Sequence, residues 1–146
     1  MPEKETLERA EKDKREGKSA STQAGEFVRE EIEHVREGKH GARSAKQVIA
    51  IGLSKARRAG VKLPPPKKGS KKIQEQAASD NRKGKSASKG TKSAKRSRAM
   101  LTKLKREGHS AASKTALSRQ ARSAASKRSA ASRSRSAKKA AATRKK

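Results

Sequence analysis

Apolar residues are sparse along this chain, and where they recur they do so at helical spacing. Ala24, Val28, Ile32 and Val35 follow one another at intervals of 4, 4 and 3 residues, with Phe27 beside them. That pattern is one face of an α-helix. It predicts a helix that opens at Ser21 or Thr22 and runs to about Glu37, where Gly38 stops it. Ala45, Ile49, Leu53 and Ala56 form a second stripe, flanked by Val48 and Gly52. Ser44 with Gln47 three residues on is a capping-box pattern, and Gly60 closes the element. The run VIAIGL alone would also suit a strand, but the cap, the glycine stop and a length of about 15 residues predict helix. Residues 22–62 are therefore expected to form a helical hairpin joined by GKHGAR, with Phe27, Val28, Ile32, Val35, Val48, Ile49, Ile51 and Leu53 as its core. So few apolar side chains give a small unit marginal stability, and the same face is open to homodimerisation.

Outside the hairpin the pattern weakens. Residues 1–21 predict an exposed polar helix, with Glu5–Arg9, Glu8–Lys12 and Glu11–Arg15 as i,i+4 pairs and only Leu7 to pack with. LPPPKKGSKK (63–72) predicts an extended polyproline spacer, the start of a Pro/Lys/Ser/Gly linker over 63–92. Within the last segment (93–146), Met100, Leu101 and Leu104 share one helical face that ends at Gly108. REGK at 15–18 and 36–39 returns as REGH at 106–109, and Lys46-Gln47 has a counterpart in Arg119-Gln120. This reads as a degenerate second hairpin in which apolar positions have become Ala, Ser and Arg.

Charge changes the picture most. From Leu63 to Lys146 there are 27 Lys or Arg against three acids (Glu75, Asp80, Glu107), so +24 of the total +28 lies in one segment. Overall, 29% of residues are hydrophobic, 38% are charged, and Phe27 is the only aromatic. Such a composition cannot offset the entropy of ordering most of the chain. The expected fold is thus mainly α: a small N-terminal helical hairpin plus a long, largely disordered basic tail with one or two further helices. A polycation of this kind is suited to a polyanion, which in a cell usually means nucleic acid. Its charge would neutralise roughly 40 Å of duplex, about 12 base pairs. The tail has no aromatic side chain on which bases could stack, which favours contact with the phosphates of a duplex over single-strand recognition. No helix-turn-helix, zinc-finger or RNP-like pattern suggests base readout.

The candidate nucleic-acid-binding residues are Lys95, Arg96, Arg98, Lys103, Lys105, Arg106, Lys114, Arg119, Arg122, Lys127, Arg128, Arg133, Arg135, Lys138, Lys139, Arg144, Lys145 and Lys146. Residues 113–131 are expected to become helical on DNA, because Ala116, Gln120, Ala124 and Arg128 share a helical face. Glu26, Glu30, Glu33 and Glu37 form an acidic stripe, read either as a solvated face salted by Arg29 and Arg36 or as a competitor with DNA for the tail.

Other chemistry finds little support. The absence of cysteine removes disulfides and thiolate metal sites. His34 follows Glu30 by four residues, a spacing that can hold a metal, but a solvated histidine on an acidic helix is the simpler reading. GKS at 17–19 and 84–86 lacks the upstream glycine of a phosphate-binding loop, since Lys12 and Ser79 stand there. No enzyme, metal or cofactor is expected. The N-terminal sequence has no apolar stretch of the secretory kind, and Val48–Leu53 is the longest apolar run, well short of the ~18 residues that signal a membrane span. A soluble, cytoplasmic, nucleoid-located protein is expected.

The segment REGKHGARSAKQVIAIGLSKARRAG resembles a family of small, basic, uncharacterised bacterial proteins. Their shared core reads Lys/Arg-Glu-Gly-Lys, a short loop, then Lys-Gln-Ala-Ile-Ala-Ile-Ala-Leu-Ser. Val48 and Gly52 stand where that pattern more often has Ala. The resemblance covers residues 26–60 and implies no particular activity. The tail is similar in composition to the Lys/Ala/Ser-rich arms of linker histones and bacterial histone-like proteins. The expected function is non-sequence-specific DNA binding of the histone-like or nucleoid-associated kind. The alternatives are RNA or ribosome association, and a protein-interaction or stress-related module.

Overall fold

Serine starts almost every helix of this protein. The computed structural model describes residues 1–86 and 93–145. Within them the helices are α1 (Lys4–Arg15), α2 (Ala20–Arg36), α3 (Ala45–Arg58), α4 (Lys71–Lys85), α5 (Ala94–Lys105), α6 (Lys114–Ser126) and α7 (Ala130–Arg144), with a short 3-10 turn at Ser110–Ala112. Ser19, Ser44, Ser70, Ser93, Ser113 and Ser129 each sit in extended backbone and accept, through Oγ, the N–H three residues on. This satisfies a donor that a helix start would otherwise leave bare. The α2 cap is Ser19, ahead of the expected Ser21 or Thr22. Gln47 completes the α3 cap by accepting the Arg43 N–H at 2.7 Å.

The hairpin of α2 and α3 is the centre of the fold. Gly52 is buried, and a Cβ built on it would lie 2.6 Å from Val28 Cα, so the two backbones meet where only glycine fits. α1 lies along α2, and α4 lies along α3. Two apolar clusters form at different points along the hairpin. One joins Ala10, Ala24, Phe27, Ala56 and Val61; the other joins Val35, Ala42 and Val48 with Ala111 and Ala112 from the 3-10 turn. Val28, Ile32, Ile49, Ile51 and Leu53, expected in the core, are only half-buried. Alanines from α1 and from the basic segment take the covering role instead.

The basic segment is therefore not a disordered tail, and this corrects the expected fold class. Its described residues are predominantly helical. The stretch read as a linker contains α4, whose Ala77 and Asp80 are buried against the hairpin. Arg57 donates to the carbonyls of Leu63 and Pro64, each at 3.3 Å, and Asn81 donates to Leu63 O at 2.9 Å. These bonds fold the proline run back so that α4 can lie on α3. Asp80 accepts from Ser54 Oγ at 2.7 Å, which anchors α4. Further on, Gly41 N donates to Leu104 O at 2.9 Å and Ala42 N to Gly108 O at 3.0 Å, tying the hairpin loop to the end of α5. Arg36 Nε donates to Ala112 O at 2.9 Å and fixes the 3-10 turn beneath α2.

Residues 114–126 are helical in the chain alone, so their helix does not wait for DNA. What misled the composition argument is that this segment needs no core of its own. It borrows the hairpin's, through alanines and backbone hydrogen bonds, and its helices are capped at low cost by serine. Two other expectations change. α1 is not merely exposed: Thr6, Ala10 and Asp13 are buried. Its i,i+4 ion pairs are Lys4–Glu8, Glu5–Arg9 and Lys12–Glu16, so of the three expected pairs only the first, Glu5–Arg9, forms. Where a degenerate second hairpin was expected, α5, Gly108 and α6 follow in order, but those two helices do not pack along each other. No helix among the described residues is long and apolar enough to cross a membrane.

Replacing Gly52 by Ala should force α2 and α3 apart. A loss of about 1–3 kcal/mol in unfolding free energy is expected, measured by urea denaturation followed by far-UV circular dichroism.

Candidate nucleic-acid interface

The structure places the candidate cations on three helices and the turns between them. Lys95, Arg96, Arg98, Lys103 and Lys105 lie on α5, and Arg106 is its C-cap. Lys114, Arg119 and Arg122 lie on α6, followed by Lys127 at its C-cap and Arg128 in the turn. Arg133, Arg135, Lys138, Lys139 and Arg144 lie on α7, with Lys145 at its C-cap. Lys146 falls outside the described residues. All the others are exposed, and among the described residues none forms an ion pair with a carboxylate. Arg128 is turned instead onto Ser132 and Ser136, where its guanidinium steadies the start of α7.

α7 buries no residue and has no apolar face. At 3.6 residues per turn, Arg133 and Arg144 fall on one side of it, and Arg135, Lys138 and Lys139 on the opposite side. Cations therefore flank the helix on both sides.

A second feature appears only in three dimensions. The start of α3 and the face of α6 enclose a shallow cleft lined by Arg43, Ser44, Lys46, Ala116, Arg119 and Gln120. It brings Lys46 together with Arg119 and Gln120, the dipeptides that the internal repeat had related. Arg43 and Lys46 were not among the expected binding residues, because they belong to the hairpin and only its docking on α6 places them beside Arg119. Arg43 also approaches Glu107 at 3.7 Å.

The acidic stripe of α2 faces other partners. Glu26 accepts from Arg9 at 2.7 Å, Glu33 from Arg29 at 3.0 Å, and Glu37 meets Lys39 at 3.2 Å. Glu30 is buried; it accepts the Glu3 backbone N–H at 3.1 Å and lies 3.4 Å from Lys55 Nζ. These partners all come from residues 3–55, so the tail finds no counter-charge on this stripe. Glu3 in turn accepts from His34 Nε2 and Lys39 Nζ, each at 3.0 Å, and those hydrogen bonds pull its carboxyl down to about 2.

Beside Glu30, Glu31 is 1% exposed. Its Oε2 faces His40 Nε2 at 3.0 Å, its Oε1 faces His34 Nδ1 at 3.6 Å, and the Lys55 ammonium lies against the same Oε1. His40 Nδ1 donates to Gly41 O at 2.9 Å. His34 is thus largely buried rather than solvated. Glu31, and not Glu30, is the carboxylate it shares with a second histidine. No spacing along the chain points to this group, since His40 lies past the Gly38 turn and has no helical register with Glu31.

Residues 11–68 match a family described as a family of unknown function (DUF6496). The matched stretch takes in the end of α1, the α2–α3 hairpin and the proline run, consistent with the resemblance to an uncharacterised family. No curated protein and no solved structure matches the chain.

Replacing Lys55 by Ala would leave Glu30 and Glu31 buried without their shared cation. A destabilisation of about 3 kcal/mol is expected, measured as a shift of the urea midpoint at unchanged m-value.

Proposed function

We propose that this protein binds nucleic acid through the phosphate backbone, without marked sequence preference, and that duplex DNA is the preferred form. The observation that carries this reading is the exposed cation surface of α5, α6 and α7, which no carboxylate among the described residues neutralises. A folded protein gains little from holding so many like charges on ordered helices that bury no residue of their own; self-repulsion opposes it. Phosphates relieve that repulsion and release their counterions. Helix rather than coil sharpens the reading. The major groove admits an α-helix, and cations on both sides of α7 suit a helix lying between two rows of phosphates. The cleft of Arg43, Lys46 and Arg119 adds a contact on the folded body. The lack of aromatic side chains on these helices argues against stacking on unpaired bases.

Fluorescence anisotropy with duplex DNA, single-stranded DNA and double-stranded RNA of equal length, at two salt concentrations, tests the proposal. Duplex DNA should bind tightest, and affinity should fall with salt at a log–log slope near −9 if ~10 phosphates are contacted. Tighter binding to double-stranded RNA would favour ribosomal or other RNA association. No binding at low salt would leave the hairpin as a protein-interaction module. Removing residues 129–146 should flatten the salt slope while leaving the thermal midpoint of the rest unchanged, since α7 buries nothing.

A further inference from the structure

We infer that Glu31, His34 and His40 form a binding site for one divalent transition-metal ion of the zinc class. One ligand atom from each lies within 4.8 Å of the others, in the interior beside the hairpin. The two histidines are prepared in the same way. His34 donates through Nε2 to Glu3 Oε1, and His40 donates through Nδ1 to Gly41 O. Each ring therefore has one nitrogen tethered outward by a carboxylate or carbonyl and the other turned to Glu31. Metal-binding histidines are held in this way, because the outer hydrogen bond fixes the tautomer and aims the free lone pair. The rings stand edge to face, 6.1 Å apart at 81°, so they approach the carboxylate from different directions.

Distances are near those an ion requires. Ligand atoms about 2.0–2.2 Å from a tetrahedral ion stand roughly 3.3–3.5 Å apart. Glu31 Oε2 lies 3.0 Å from His40 Nε2 and its Oε1 3.6 Å from His34 Nδ1, while one atom from each of the three residues fits within 4.8 Å, so the rings need to close in slightly around an ion. Glu31 Oε1 is buried and accepts no hydrogen bond of good geometry, its one close neighbour being the Lys55 ammonium, a cation that a metal ion can replace. His40 has Nδ1 bonded to Gly41 O and Nε2 turned to Glu31 Oε2, so an ion can sit between Nε2 and the carboxylate. The Lys55 ammonium now lies against Oε1, and Glu30 stands 3.4 Å away to receive it when an ion takes that oxygen. Two imidazoles and one carboxylate suit Zn²⁺ and its neighbours over Mg²⁺ or Ca²⁺, which prefer all-oxygen sites. With three protein ligands, a fourth position is left for water. The ion would tie α2 to the loop after it.

The experiment is calorimetric titration of Zn²⁺ into untagged, chelator-treated full-length protein, with thermal melts in parallel. One saturable site is expected, with a melting midpoint raised by Zn²⁺ and not by Mg²⁺. Because Glu31 and His40 are buried, the variants are His34→Ala and Glu3→Gln, with folding checked by circular dichroism. His34→Ala should abolish the site. Glu3→Gln, which takes the negative charge from the outer tether and leaves an acceptor oxygen, should weaken binding about tenfold. His109→Ala should bind Zn²⁺ as the unaltered chain does. Absence of saturable binding, or full affinity in folded His34→Ala, would overturn the inference and leave the cluster an internal ion network.

Discussion

The close passage of α2 over α3 at Val28 and Gly52 is the contact on which the rest of the structure depends. A chain with one aromatic and few large aliphatic residues cannot hold helices together across a wide, well-filled gap. It can bring backbones near enough that alanine and valine suffice. Gly52 permits that approach, and Ala24, Ala45 and Ala56 extend it along the hairpin. With the gap so narrow, the flanks of the pair need only thin cover. α1 gives Ala10 and the 3-10 turn gives Ala111 and Ala112. Val48 and Gly52 both lie in this packed zone: Val48 belongs to the second cluster, and Gly52 makes room for Val28.

Polar groups are buried alongside. Glu30 and Glu31 fall on α2 between Phe27 of one apolar cluster and Val35 of the other. Buried carboxylates are expensive unless paired, and the surroundings answer with Lys55, His40 and the Glu3 N–H. Arg57, held under the proline run, shows the same economy: burial pushes its guanidinium down, and backbone carbonyls take up its donors. The interior is thus specified by polar geometry as much as by apolar volume, whereas the outer helices carry charge with no counterpart. The two halves differ in kind: the body of residues 1–62 keeps only +4 of the net charge, whereas among the described residues the cations of α5, α6 and α7 pair with no carboxylate.

Much of the hairpin was legible in order. The stripe through Ala24, Val28, Ile32 and Val35, the Ser44–Gln47 cap and the stops at Gly38 and Gly60 all depend on neighbours in sequence, which a one-dimensional reading can see. The basic half was not legible by the same means. Low hydrophobicity argued for disorder, but Ala77, Ala111 and Ala112 are buried against residues far away in the chain, and no local pattern distinguishes them from the many alanines that stay exposed. Ser70, Ser93, Ser113 and Ser129 were signals available and passed over, since a serine in a Ser/Ala/Lys-rich stretch looks like every other serine until its helix is seen. His40 was hidden differently. Its partner Glu31 lies nine residues back across a tight turn, a separation with no meaning in helical or strand periodicity.

The sequence by itself determined the two central helices, their ends, and the excess of positive charge in the second half, because propensity, capping and net charge are properties of residues and near neighbours. Tertiary structure alone decided which alanines became core, that α4 folds back on α3, and that Lys46 meets Arg119. It also decided that Glu31, His34 and His40 converge. The first three need distant segments brought together, and the narrow gap between α2 and α3 sets where they can dock; the last needs only the turn after α2 to fold His40 back onto Glu31.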